Sequence, residues 1–215
     1  MHNKLIYIVG HIRLLNALLA AFLKEKTGAA CHVVESLDGI PERKDENQSE
    51  SRLILLDCLG KTLQILMMEF DANAVHASAG DFIALFNVPP RLGIEKSMIS
   101  RGVHGFFYKW DTEESFVKGV SAIFNGELWI SRKVLTDCIL KTDRGTHPMP
   151  AGRLATLTPR EVEILAEVAS GASNQAIADK LSVSPYTVKT HLHNIFKKIN
   201  VPNRLQAALW AAENF

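Results

Sequence analysis

The sequence predicts two domains: a doubly wound α/β domain built on a five-stranded parallel sheet, then an all-helical domain of four helices. Three observations carry this. Up to residue 140, short apolar runs closed by polar or glycine residues alternate with helix-period stretches, as strands and their crossover helices do. Residues 141–155 (KTDRGTHPMPAGRLA) have Gly and Pro punctuation and no apolar period, and so form a linker. From residue 156 onward only helical periods occur.

Leu5 to Val9 is an apolar run ended by Gly10 and makes a first strand buried on both faces. Leu14, Leu15, Leu18, Leu19, Phe22 and Leu23 hold helical spacing, with Gly28 as the stop. Cys31 to Val34 is a second, weak strand, and residues 41–51 (PERKDENQSES) form a polar loop. Leu53 to Leu56 gives a third strand ending at Asp57, Thr62 to Phe70 a helix, Phe82 to Phe86 a fourth strand and Gly105 to Tyr108 a fifth. Asp111 with Glu114 is a capping pair for a helix carrying Phe116, Val117, Val120, Ile123 and Phe124.

The chain of 215 residues is 47% hydrophobic and 22% charged, in the range of ordinary soluble globular proteins. There is no run of eighteen or more apolar residues and no secretory signal, so a cytoplasmic protein without a membrane partner is expected. Cys31, Cys58 and Cys138 lie in apolar stretches and read as small buried hydrophobes; no metal is expected. Seven Lys/Arg against five Asp/Glu from Arg153 onward make the C-terminal part only slightly basic, so the placement of the cations decides their use.

Asp57 at the end of the third strand and Lys109 at the end of the fifth resemble the phosphoacceptor aspartate and the lysine of response-regulator receiver domains. The resemblance implies a receiver-like regulatory and dimerisation domain over residues 1–140, with one extra C-terminal helix. Gly10, His11 and Ile12 stand where receivers carry an acidic pair for Mg2+, Asn87 where they carry a hydroxyl, and Trp110 where a proline follows the lysine. A hard cation needs several oxygen ligands, and Asp57 alone is a poor site. Asp57 and Lys109 are therefore read as a degenerate phosphoacceptor site, held as a structural ion pair at the sheet edge.

Receivers end with their fifth helix, but here the chain continues through Gly126 to Lys133 into a helix with Val134, Leu135, Cys138 and Ile139 on one face, and Ser131 able to cap it. Trp129-Ile130-Ser131-Arg132 resembles the Trp-(Phe/Leu/Met)-(Thr/Ser)-Arg motif of the VpsT/CsgD branch of the LuxR superfamily, whose VpsT-type members bind cyclic di-GMP. Ile130 is an apolar departure. The resemblance implicates Trp129, Ser131 and Arg132 in binding that nucleotide as an allosteric ligand. The chemistry suits it, since an indole can stack on guanine, an Arg fork matches the O6 and N7 edge, and a hydroxyl at a helix N-terminus matches a phosphate.

In the C-terminal domain, residues 156–215, Thr158, Pro159 and Glu161 form a capping box with proline at the first helical position, and the helix carries Val162, Ile164, Leu165 and Val168 up to Gly171. Ala172 to Leu181 is a short second helix and Ser182-Val183 a tight turn. Ser184 caps a third helix, Ser184 to Ile199, with Pro185 at its first position and Val188, Leu192, Ile195, Phe196 and Ile199 as its apolar stripe. Asn203 caps the last, with Leu205, Ala208, Leu209 and Ala212 inward. A short helix, a tight turn and a longer helix make a helix-turn-helix. The third helix turns out Tyr186, Lys189, Thr190, His193, Asn194 and Lys197, cations and hydrogen-bonding groups without a carboxylate, which suits the major groove of double-stranded DNA. His191 and His193, two apart on a helix, point away from each other and cannot chelate together.

Residues 157–211, LTPREVEILAEVASGASNQAIADKLSVSPYTVKTHLHNIFKKINVPNRLQAALWA, closely resemble the LuxR-type DNA-binding domain from end to end. The resemblance places Lys189, Thr190 and His193 at base- or backbone-contacting positions, Lys197 and Lys198 near phosphates, and Glu161 in a structural role. The function expected is that of a DNA-binding transcriptional regulator, not an enzyme, forming a homodimer on binding cyclic di-GMP and controlling biofilm or extracellular-matrix genes. The alternatives are a phosphorylation-dependent response regulator using Asp57 and a ligand-independent LuxR-type regulator.

Overall fold

The computed structural model describes residues 4–41, 50–72, 81–89, 93–140 and 156–215. Two compact units are present, Met1–Phe124 and Asn125–Phe215. The division falls after Phe124 and not at residue 140, where the sequence placed it, so the Trp129 to Arg132 segment groups with the helical unit. The linker expected over residues 141–155 lies outside the described residues.

In the first unit five strands form one parallel sheet: β1 (Lys4–Val9), β2 (Ala30–Val34), β3 (Ser51–Asp57), β4 (Phe82–Val88) and β5 (Val103–Tyr108). Their order is β2-β1-β3-β4-β5, the doubly wound arrangement of receiver-type folds. The residues of β1, β3, β4 and β5 are almost all buried, as expected of strands covered on both faces. β2 is an edge and is largely exposed.

The helices of this unit are α1 (Arg13–Thr27), α2 (Leu63–Ala72), α3 (Glu95–Ile99) and α4 (Glu113–Phe124). α1 ends at Gly28, whose φ of 69° is the left-handed cap that glycine adopts most readily. Its burial departs from expectation, because Asn16 and Leu23 are buried while Leu14, Leu15 and Leu18 face outward. Helical spacing identified the helix but not which side meets the sheet. The start of α4 also needs correction. The Thr112 hydroxyl accepts from Ser115 N–H at 3.2 Å, whereas Asp111 accepts from Tyr108 N–H at 2.8 Å and closes a turn after β5. Glu114 is therefore not a capping partner; it pairs with Lys118 one turn on.

The second unit holds α5 (Arg132–Leu140), α6 (Pro159–Ala169), α7 (Asn174–Leu181), α8 (Pro185–Ile199) and α9 (Arg204–Asn214). The capping box of α6 forms as the sequence predicts. The core joins Ile164, Leu165 and Val168 of α6, Ile177 and Ala178 of α7, and Val188, Leu192, Ile195 and Ile199 of α8. From α9 it takes Ala207, Trp210 and Ala211, and Ala212 is exposed. Of the predicted inward set Ala208 packs against the core, but the face is centred on Ala207, Trp210 and Ala211, with Leu205 and Leu209 half-buried and Ala212 exposed. The large Trp210 ring, fully buried, fixes that phase. No described helix is long and apolar enough to cross a membrane.

Candidate functional site

The first place to look for chemistry is the C-terminal edge of the sheet, where Asp57 is 4% exposed. Its Oδ1 accepts hydrogen bonds from Asn87 Nδ2 at 2.8 Å and from the Leu59 N–H at 3.0 Å. Asn87 adopts a φ of 54°, unusual for a residue with a side chain, to deliver that amide. On the other side stands Gly10. A Cβ there would lie 2.7 Å from Asp57 Cβ and 2.9 Å from Asn16 Nδ2, so only glycine lets the carboxyl and the buried amide approach.

The expected ion pair between Asp57 and Lys109 does not form. Lys109 is exposed, and none of the ion pairs among the described residues joins it to Asp57. The reason is local: β5 runs into the turn in which Asp111 N–H donates to the Tyr108 carbonyl at 3.0 Å, with the Tyr108 and Trp110 rings stacked 5.5 Å apart around Lys109. Asp57 is instead held by the Asn87 amide of β4, while the buried Asn16 amide of α1 stands close to Gly10 without a hydrogen-bond partner among the described residues, and sequence reading missed both. Asn16 and Asn87 lie 41 and 30 positions away, so no local pattern announces them.

Among the cysteines, Cys58 is fully buried and its thiol is pushed up to about 12, chiefly by burial and then by the Asp57 charge. Cys31 is half-buried and raised by the same desolvation. Both are free, and the Cys138 side chain lies outside the described residues. No group of three or more His, Cys, Asp or Glu able to hold a metal occurs among the described residues.

In the second unit, Trp129 is half-buried while Ser131 and Arg132 are exposed. Ser131 caps α5, its hydroxyl accepting from Val134 N–H at 3.3 Å. Arg132 begins the helix, and no ion pair or hydrogen bond holds its guanidinium among the described residues. The three residues are brought together by sequence adjacency. Three residues before Trp129, the backbone at Gly126 passes close to the start of α7, where a Cβ would lie 2.3 Å from Asn174 Nδ2.

The helix-turn-helix is braced from several sides. Ser182 turns the chain in the left-handed conformation between α7 and α8. Arg160 of α6 donates to the Leu181 carbonyl at 2.9 Å, and Lys180 pairs with Glu167 at 2.6 Å. Ser184 caps α8 by accepting from Thr187 N–H at 3.0 Å. On α8, Thr190, Asn194 and Lys197 are exposed, and Tyr186, Lys189 and His193 are half-buried on the same side. The Thr190 hydroxyl donates back to the Tyr186 carbonyl at 3.1 Å. Lys198 is placed differently from the other cations, its ammonium 2.7 and 2.9 Å from the two oxygens of Glu161. That engagement, and the bonds of Arg204 to Asn174 and to the Ala172 carbonyl, were not foreseen because the partners are 30 to 37 positions apart.

A receiver-type α/β unit followed by a helix-turn-helix unit defines a transcriptional regulator of the response-regulator kind. Residues 155–211 match the family model described as bacterial regulatory proteins, luxR family. Over its whole length the chain is 33% identical to the CsgBAC operon transcriptional regulatory protein of Escherichia coli K12, covering 99% of that protein. It is 34% identical to the probable csgAB operon transcriptional regulatory protein of Salmonella typhimurium LT2, over 80% of this chain and 79% of that one. The crystal structure of the master biofilm regulator CsgD regulatory domain superposes with a TM-score of 0.52, covering 64% of this chain and 99% of that one at 18% identity, a likeness of fold. The chain belongs to the LuxR-type family of bacterial DNA-binding transcriptional regulators.

Proposed function

We propose that this regulator binds cyclic di-GMP at Trp129, Ser131 and Arg132, and that the nucleotide pairs two copies so that two α8 helices read two half-sites of double-stranded DNA. One observation carries the ligand reading: an exposed Arg132, with no partner among the described residues, stands beside the capped N-terminus of α5 and the half-buried Trp129. A guanidinium, an indole and a hydroxyl at a helix start are the donors a guanine nucleotide needs. Pairing matters because one small module makes few base contacts, whereas two gain affinity through effective concentration. The names of the relatives, csg operon regulators and a biofilm regulator, support biofilm genes as the targets.

Calorimetry and gel filtration with and without cyclic di-GMP test this directly. The wild-type protein is expected to bind the nucleotide and to double its assembly mass on doing so. Arg132→Ala is expected to lose at least about tenfold in affinity, or about 1.4 kcal/mol, with an unchanged circular dichroism spectrum because the side chain is exposed. Equal affinity in that variant would sink the ligand assignment.

On the DNA side, Tyr186, Lys189, Thr190, His193, Asn194 and Lys197 form the reading face, while Lys198 stays with Glu161. Lys189→Ala is expected to weaken binding to every sequence alike and to flatten the slope of log affinity against log salt by about one, if the ammonium meets a phosphate. Titrations at three salt concentrations on specific and scrambled duplexes decide it. A loss confined to the specific duplex would move Lys189 to a base contact instead.

A further inference from the structure

On α8, Lys189, His193 and Lys197 follow one another at intervals of four residues and so stand in one line along the reading face. Neighbours in such a line have Cβ atoms about 5–6 Å apart. Lys197 is exposed, and Lys189 and His193 are half-buried. The imidazole of His193 is thus set between two ammonium groups. No Asp or Glu occurs anywhere in α8; Tyr186 is a further titratable group on this side, and His191 points away from it. Helices α6, α7 and α9 pack against α8, and the charged side chains they carry among the described residues are engaged with other groups. Glu161 holds Lys198, Arg160 pairs with Glu163, and Lys180 pairs with Glu167. Asp179 accepts from Gln175 at 2.7 Å, and Arg204 bonds Asn174 and the Ala172 carbonyl.

We infer that His193 is a proton-linked DNA contact, which takes up a proton when α8 meets the duplex, so that DNA affinity rises as pH falls through the histidine range. The inference rests on α8 being the reading helix. An ordinary imidazole titrates near about pH 6.5, where small changes of surroundings decide its charge. In the free protein the two flanking cations disfavour a third charge between them. DNA reverses the sign, because its phosphates surround the same line with negative charge. The donors change in the same sense. A neutral imidazole has one donor and one acceptor, whereas imidazolium has two donors, and both phosphate oxygens and the O6 and N7 edge of guanine only accept. A group that holds its proton more tightly on DNA than off it must, by reciprocity, bind DNA more tightly when protonated. With the proton affinity raised in the complex, the added DNA affinity is present at low pH and is lost as pH rises through the value in the complex. A lysine at this place would be charged throughout the range, so histidine is what makes the contact conditional on pH.

The test uses the full-length protein and the duplex that wild type selects from a random-sequence pool, titrated at constant ionic strength over a pH series. Wild type is expected to bind about tenfold more tightly at about pH 5.5 than at about pH 8, as a rise of about one unit in the imidazole pKa on DNA would give. Calorimetry in two buffers of different ionisation enthalpy is expected to read net proton uptake on binding near neutral pH. His193→Gln is expected to bind weakly at every pH without proton uptake, and His193→Lys to bind tightly at every pH, also without uptake. His191→Gln, on the other side of the helix, is expected to keep the wild-type slope. The Lys variant separates charge from shape, since a merely structural histidine would not be replaced by a fixed cation with the pH dependence alone removed. A wild-type affinity that is flat across the series, or a slope and proton uptake that survive in His193→Gln, overturns the proposal while leaving α8 as the reading helix. Selection of no duplex at any pH would instead overturn the reading helix, and this inference with it.

Discussion

Replacing Glu161 by alanine is expected to lower the stability of the helical unit by about 2–3 kcal/mol, adding the loss of a capping partner to the loss of charge-assisted hydrogen bonds. The side chain is 6% exposed, and its carboxylate accepts from the Thr158 N–H at 2.8 Å, from the Thr158 hydroxyl at 3.1 Å and from Lys198. It therefore ties the first turn of α6 to the last turn of α8, the helix proposed to read DNA. The Lys198 side chain is 36% exposed and can be solvated after the change, which keeps the loss below that of a fully buried pair. Burial pushes the Glu161 carboxyl up, but Lys198 and the Thr158 donors outweigh burial and hold it below the ordinary 4.5. A depressed value means the stabilisation is present above the unfolded value and is lost as pH falls through the folded one. Urea melts are thus expected to show wild type losing stability below about pH 4.5, with Glu161→Ala losing less in that window. Glu161→Gln should fall between the two, since it keeps the cap acceptor and loses the charge. A variant that melts with wild type at neutral pH would remove this tie from the account of the domain.

Where local chemistry dictates structure, the sequence was sufficient. Five apolar runs became five strands, four of them because a strand covered on both faces needs nothing but side chains that leave water, and β2 as a largely exposed edge. Thr158, Ser184 and Asn203 cap their helices as read, since a cap is an interaction across three residues. The five-residue helix α3 went unread because a single turn has no period to detect. Periodicity also gave α1 a stripe without a direction, and the face that looked like core is the outer one. At α9 the largest ring, Trp210, decides the inward face against the Leu205 and Leu209 pattern. The clamps on Asp57 and on Arg204 join residues some thirty positions apart, and only the fold brings them together. For the site the division is the same: Ser131 as a cap could be seen in four residues, whereas the commitment of Lys198 to Glu161 could not.

Gly126→Ala is the second large effect, expected to destabilise the helical unit by about 2–4 kcal/mol, through backbone strain and the loss of a hydrogen bond to a charged group. Gly126 has a φ of +80°, where L side chains are strained, and its missing Cβ leaves room for the Asn174 carboxamide. Asn174 is 4% exposed, and its Oδ1 accepts from Arg204 at 3.0 Å while a second Arg204 nitrogen donates to the Ala172 carbonyl. Burial pulls Arg204 below the ordinary arginine value, and the Glu127 carboxylate beside the glycine acts against that pull. A methyl group 2.3 Å from Asn174 Nδ2 must push the amide off Arg204, which leaves a half-buried guanidinium short of an acceptor. The first turns of α7 and α9 would loosen together, so amide hydrogen exchange is expected to speed up at both while the apolar heart of α6 and α8 stays protected. The functional consequence follows from chain order, since Gly126 is three residues before Trp129. On the proposed reading, the variant should still bind cyclic di-GMP at Trp129, Ser131 and Arg132, but the nucleotide should raise DNA affinity less than is expected of wild type. Wild-type melting, or a full nucleotide-dependent gain in DNA affinity, would show that the ligand segment does not act on the helix-turn-helix through Asn174.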